Sequence, residues 1–97
     1  MAKYISLIKY TGKGIEKIKE SPNRHDAFKK LCESMAAKVE AFYLTTGRYD
    51  IVVILDAPAP ETIAKILLTT ASKGAVSTET LQAFPEEEYR KITSELS

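Results

Sequence analysis

Between Lys3 and Tyr10 the chain sets Tyr4, Ser6, Ile8 and Tyr10 against Ile5 and Leu7, in a stretch rich in β-branched and aromatic residues. A period of two predicts a strand, and apolar residues in both sets predict cover on both faces. The hydroxyls of the first set predict that one cover is less dry than the other. Thr11 to Glu20, with Gly12 and Gly14, reads as a turn with room for a short helical segment. Ser21-Pro22 opens the first full helix, since a first-turn proline forfeits no hydrogen bond. Phe28, Leu31, Cys32 and Met35 follow at helical spacing as its buried stripe, with Lys29, Lys30 and Glu33 on the wet side.

Lys38 to Thr45 predicts a second strand, with Val39, Ala41 and Tyr43 opposed to Phe42 and Leu44. Thr46-Gly47-Arg48 supplies the glycine of a hairpin connection. Tyr49 to Leu55 is the strongest strand, because five consecutive aliphatics from Ile51 to Leu55 require burial on both faces and a central place. Ala57-Pro58-Ala59-Pro60 ends it, and a helix from Pro60 carries Ile63, Ile66, Leu67 and Thr70 inward until Gly74 stops it. Ala75 to Phe84 alternates as a fourth strand. Phe84-Pro85 then opens a last helix, whose first-turn Glu86, Glu87 and Glu88 suit the positive end of its dipole and which Tyr89, Ile92 and Leu96 could dock loosely.

The order strand, helix, strand, strand, helix, strand is a split βαβ plan: an α+β domain over residues 1–97 with a four-stranded antiparallel sheet and an extra C-terminal helix. Helices cover only one face of such a sheet. Strands one and three are apolar on both, so the second face calls for another layer, most simply a second copy of the chain.

Charge and composition change this picture little. The net charge of +1 gives no support for a nucleic-acid partner. Through Arg48 there are ten Lys/Arg against five Asp/Glu, and from Tyr49 onward four against eight, so the halves are oppositely charged. Charge runs of this kind are usually solvated faces, though they would also help two copies dock. Cys32 is the single cysteine and builds neither a disulfide nor a thiol metal site alone. No stretch reaches the roughly 20 apolar residues of a membrane span, and the Lys-interrupted start is a poor signal peptide. The expectation is a cytoplasmic protein with no membrane partner.

The segment Phe42-Tyr43-Leu44-Thr45-Thr46-Gly47-Arg48-Tyr49-Asp50-Ile51-Val52 resembles the signature of the GYD domain family. The likeness continues through Asp56-Ala57-Pro58, Val76 to Phe84 and Glu87-Glu88-Tyr89, and reaches back to Tyr4–Tyr10 and Ser21-Pro22-Asn23-Arg24. It implies a ferredoxin-like βαββαβ fold in a dimeric α+β barrel. The hairpin followed by Thr78 and Thr80 is also similar to the effector-binding domain of leucine-responsive and asparagine-type regulators. No helix-turn-helix segment precedes it here, so a small-molecule site, for an amino acid for example, is the part implied.

Gly47, Arg48, Tyr49 and Asp50, with Thr78 and Thr80, are the candidate ligand-binding residues. Arg grips a carboxylate bidentately and Asp takes an ammonium. Against this stands a hairpin in which Gly and Asp serve the turn alone. Asp50, Val52, Ile54 and Asp56 share a face of strand three, where a desolvated carboxylate could serve as acid or base. Ser6, Tyr10, Tyr43, Thr78 and Thr80 offer further hydroxyls, but a one-residue slip would turn each to the other face. His25 has no His or Cys neighbours and is a poor metal ligand, and Cys32 reads as a small core residue. No catalytic residue, metal or cofactor is assigned. The reading that results is a self-associating small-molecule-binding module; the alternative is a small cofactor-poor enzyme of the dimeric barrel type, a monooxygenase or isomerase.

Overall fold

The aliphatic run lies in strand β3 (Ile51–Ala57), one of two central strands in a four-stranded antiparallel sheet. The other is β1 (Ala2–Tyr10); β2 (Lys38–Leu44) and β4 (Val76–Ala83) form the edges, in the order β2-β3-β1-β4. The computed structural model describes residues 1–97. It also contains α1 (Gly12–Glu16), a 3-10 turn at Ile18–Glu20, α2 (Ser21–Ser34), α3 (Pro60–Ser72) and α4 (Glu86–Ser94). This is the α+β, ferredoxin-like arrangement with its additional C-terminal helix.

The registers Ser6↔Val53 and Ser6↔Thr80 fix the faces. Tyr4, Ser6 and Ile8 of β1 join Ile51, Val53, Leu55 and Ala57 of β3 beneath α2 and α3. The hydroxyl-bearing set of β1 is therefore the drier one. Ser6 tolerates full burial because its Oγ lies 2.9 Å from Thr80 Oγ1. Tyr4 Oη is buried with no partner, a cost of about 1–3 kcal/mol that the ring's own burial must offset. From the helices come Cys32, Ile63 and Ile66, with Phe28, Leu31, Met35 and Leu67 packed at the margin. Prolines open α2 and α3, and Gly74, at φ +81°, takes the left-handed turn that ends α3.

The sequence expectation for β2 needs one correction. A bulge between Val39 and Ala41 places Val39 opposite Leu55 but Ala41 opposite Ile54. Val39 therefore joins the helix-covered face, whereas Ala41 and Tyr43 lie on the other. Strand β3 also starts two residues later than predicted, at Ile51, since Tyr49 and Asp50 belong to the connection. Finally, α4 docks on nothing: all its residues are exposed, Tyr89 and Ile92 included.

Gly14 fixes the first connection by close approach. A Cβ there would fall 2.1 Å from the Ala75 carbonyl oxygen. Thr11 secures the same junction: its N–H donates to Ala75 O at 3.0 Å, its hydroxyl donates to Gly74 O at 2.6 Å, and its Oγ1 caps the Gly14 N–H.

Candidate functional site

The second sheet face has no helices. Ile5 and Leu7 of β1 and Val52 and Ile54 of β3 form its centre, all half-buried by their neighbours alone. Tyr43 on one flank is 59% exposed and Leu81 on the other 51%. Polar groups close both ends of this apolar band. At one end Lys3 Nζ pairs with Glu40 and lies 3.3 Å from Asp56 Oδ1. Glu40 and Lys3 hydrogen bonds and the Lys38 charge hold the Asp56 carboxyl below its ordinary value, against an opposing effect of burial. Its own hydrogen bonds, to Glu40 first and then to Asp56, raise Lys3 against burial.

The other end contains most of the residues singled out from sequence. Gly47, at φ +112°, turns the connection between β2 and β3, and Thr45 closes it with an N–H to Asp50 O at 2.8 Å and a hydroxyl to Tyr49 O at 2.6 Å. The Tyr49 hydroxyl donates to Glu79, which raises the phenol's pKa along with burial and the Glu79 charge, while Arg48 opposes. Arg48 Cζ is 5.7 Å and Lys9 Nζ 6.0 Å from the Tyr49 ring centroid. These side chains and Ser77 border one shallow polar hollow.

Asp50 is occupied otherwise. Its Oδ2 accepts the Tyr10 N–H at 2.8 Å, and its own N–H donates to Ile8 O at 2.9 Å. Its carboxylate ties the connection to the end of β1 and does not stand beside Arg48 as the partner of an ammonium. Thr80 is bound to Ser6 on the helix-covered face. The structure thus brings Arg48 and Tyr49 together at the hollow, beside the Gly47 turn, ties Asp50 to β1, and turns the side chains of Thr78 and Thr80, opposite Ile8 and Ser6, to the helix-covered face. Asp56 lies at the far end of β3 from Asp50, so the two carboxylates share no site.

Sequence reasoning passed over a second region. A cavity of about 130 Å3 opens between α2, α3 and the covered sheet face. His25 stands in its wall, its ring 4.0 Å from that of Phe42 and 6.4 Å from that of Phe28. Burial, then the Lys29 charge, lowers the imidazole pKa against Asp26, leaving the ring neutral near pH 7. The available signal was the helical spacing of Arg24, His25 and Phe28, which puts polar and aromatic side chains on adjoining sides of α2. Cys32 is fully buried and its thiol is pushed up to about 11 by desolvation, so it supplies no thiolate. No three His, Cys, Asp or Glu side chains converge as a metal site, and no helix is long and apolar enough to cross a membrane.

The family model described as GYD domain matches residues 4–93. A Thermus thermophilus protein named glutamine synthetase and cystathionine beta-lyase binding protein is 34% identical over 86 residues, 88% of this chain and 90% of that one. A crystal structure from the same organism superposes with a TM-score of 0.55 at 25% identity, over 88% and 95% of the two chains. The feast or famine regulatory protein of M. tuberculosis, complexed with L-methionine, gives 0.66 at 13% identity. That likeness is one of fold, and covers 88% of this chain but only 51% of the regulator.

Proposed function

This chain belongs to the GYD domain family, and from that premise we propose that it is a self-associating binding module, two copies meeting through the open faces of their sheets. The observation that carries the proposal is the band Ile5, Leu7, Val52 and Ile54, aliphatic side chains on the two central strands with no layer above them. Leaving such surface in water forfeits about 25 cal/mol for each Å2 that could be buried. An apolar centre with charged groups confined to its ends is the anatomy of a protein interface. The Lys3–Glu40–Asp56 cluster and the Lys9–Tyr49–Glu79 group supply that rim.

Association places the Gly47–Asp50 connection at the edge between copies. There Arg48, free of any ion pair, offers its guanidinium to the carboxylate of an amino acid or similar small molecule, with Tyr49 and Ser77 beside it. Asp50 fixes the connection, and Thr78 and Thr80 lie on the covered side of the sheet beneath it, Thr80 bound to Ser6. The name of the 34% identical relative supports binding to metabolic enzymes as the role of the assembled module. A cytoplasmic setting belongs to the same reading, in keeping with the free, buried Cys32.

The test is co-sedimentation with glutamine synthetase and with cystathionine beta-lyase, using wild type and Ile54→Lys. Binding by wild type and its loss in the variant are expected. A wild type that binds neither enzyme and sediments as a monomer at micromolar concentration overturns the proposal.

A further inference from the structure

The cavity between the helices and the covered sheet face has an uneven chemistry. Its walls are largely hydrocarbon, from Ile8, Phe28, Leu31, Val53 and Leu67 among others. Two cations, Arg24 and Lys73, reach its lining, and no Asp or Glu does. Neither cation makes an ion pair elsewhere in the molecule. Arg24 is nevertheless positioned: its guanidinium donates to the carbonyls of Lys17 at 3.1 Å and Gly14 at 3.3 Å. Those bonds orient the group without neutralising it, and they leave part of its five-donor fork unused. Beside it the hydroxyls of Tyr10 and Ser21 lie 2.9 Å apart, and each has hydrogen-bonding capacity to spare.

Size narrows the occupant. An engineered cavity of about 150 Å3 with similar aliphatic and aromatic walls stays dry and takes up benzene. The volume here, about 130 Å3, is close to that. An apolar body of one ring fits, and the uncompensated cations favour a negative charge at its polar end.

We propose that this cavity is a binding site for a small hydrophobic carboxylate, a single ring or a short branched chain, with the body between α2 and α3 and the carboxylate on Arg24, assisted by Lys73. The site lies on the opposite side of the sheet from the association surface and does not depend on it.

Benzoate is a suitable probe, with benzamide as its neutral isostere, titrated into the 15N-labelled protein and followed by NMR. Saturable shifts are expected at the amides of Ile8, Phe28 and Ala75, with a dissociation constant on the order of 0.1–1 mM for so small a ligand. Benzamide should bind at least about tenfold more weakly, the size of one lost charge-assisted hydrogen bond. Arg24→Gln should cause a similar loss. Should that variant unfold because its carbonyl contacts are missed, Lys73→Gln, at an exposed position, should still weaken benzoate severalfold. Equal binding of benzamide and benzoate, shifts confined to Lys9, Arg48 and Tyr49, or no saturation by about 10 mM, beyond the weakest useful affinity, would each overturn the assignment. The solution mass of the same samples judges self-association separately.

Discussion

On β3, Leu55 is completely buried, while the adjacent and equally apolar Ile54 stays partly exposed. One strand thus serves two faces: Ile51, Val53, Leu55 and Ala57 pack under α2 and α3, and Val52 and Ile54 pack under nothing in their own chain. Sequence pattern demands burial of both sets equally. The contrast teaches that a continuous aliphatic run specifies a central strand but leaves open whether the second cover comes from the same chain.

The sharpest way to probe that contrast is to truncate one residue on each side. Leu55→Ala should lower folding stability by about 2–5 kcal/mol, the usual range for a buried leucine. Ile54→Ala should cost well under half as much in the isolated chain. Urea unfolding at low micromolar concentration measures both; equal losses would mean the open face is already packed.

Gly14→Ala should follow, at about 1–3 kcal/mol, because the new methyl group meets the Ala75 backbone and the junction must open to admit it. This is a defect of the covered side, so self-association should survive it when folding is restored by cooling. Asp50→Ala should cost about 1–2 kcal/mol, as the Tyr10 N–H loses its acceptor. Asp50→Asn, which retains an acceptor oxygen, should recover much of this. A loss of ligand affinity with no change in stability would instead return Asp50 to a binding role.

The smallest effect concerns pH. Asp56 titrates below its ordinary 3.8, held there by Glu40 and Lys3 hydrogen bonds and the Lys38 charge. Its contribution is therefore complete above about pH 4 and is lost as pH falls through the depressed value. Lys3 is raised above 10.5, so its contribution holds below that pH and fades as pH climbs through the raised value. Both groups are partly exposed, and the changes should be modest and weaken in salt. In Asp56→Asn the acid limb of the stability profile should flatten.

Element order, the central place of β3, both helix stripes and the Gly47 and Gly74 turns were legible in the sequence, because hydrophobic period and glycine conformation are local properties. The Val39–Ala41 bulge was not, since one extra residue in a strand leaves no distinct local pattern. The candidate site was legible only in part. Proximity on the chain suggested that Arg48, Tyr49 and Asp50 act together, but hydrogen bonding to β1 claims Asp50. The Arg24–Lys73 cavity depends on the spacing between α2 and α3, which no single segment encodes.

Whether the open face is an association surface is decided by light scattering after size exclusion between roughly 1 and 100 µM, the range of ordinary specific association. Wild type should be a dimer or larger and Ile54→Lys a folded monomer, since its ammonium would be buried unpaired at the centre of the interface. A wild type that is monomeric across the whole range, or a variant that associates as wild type does, would contradict this.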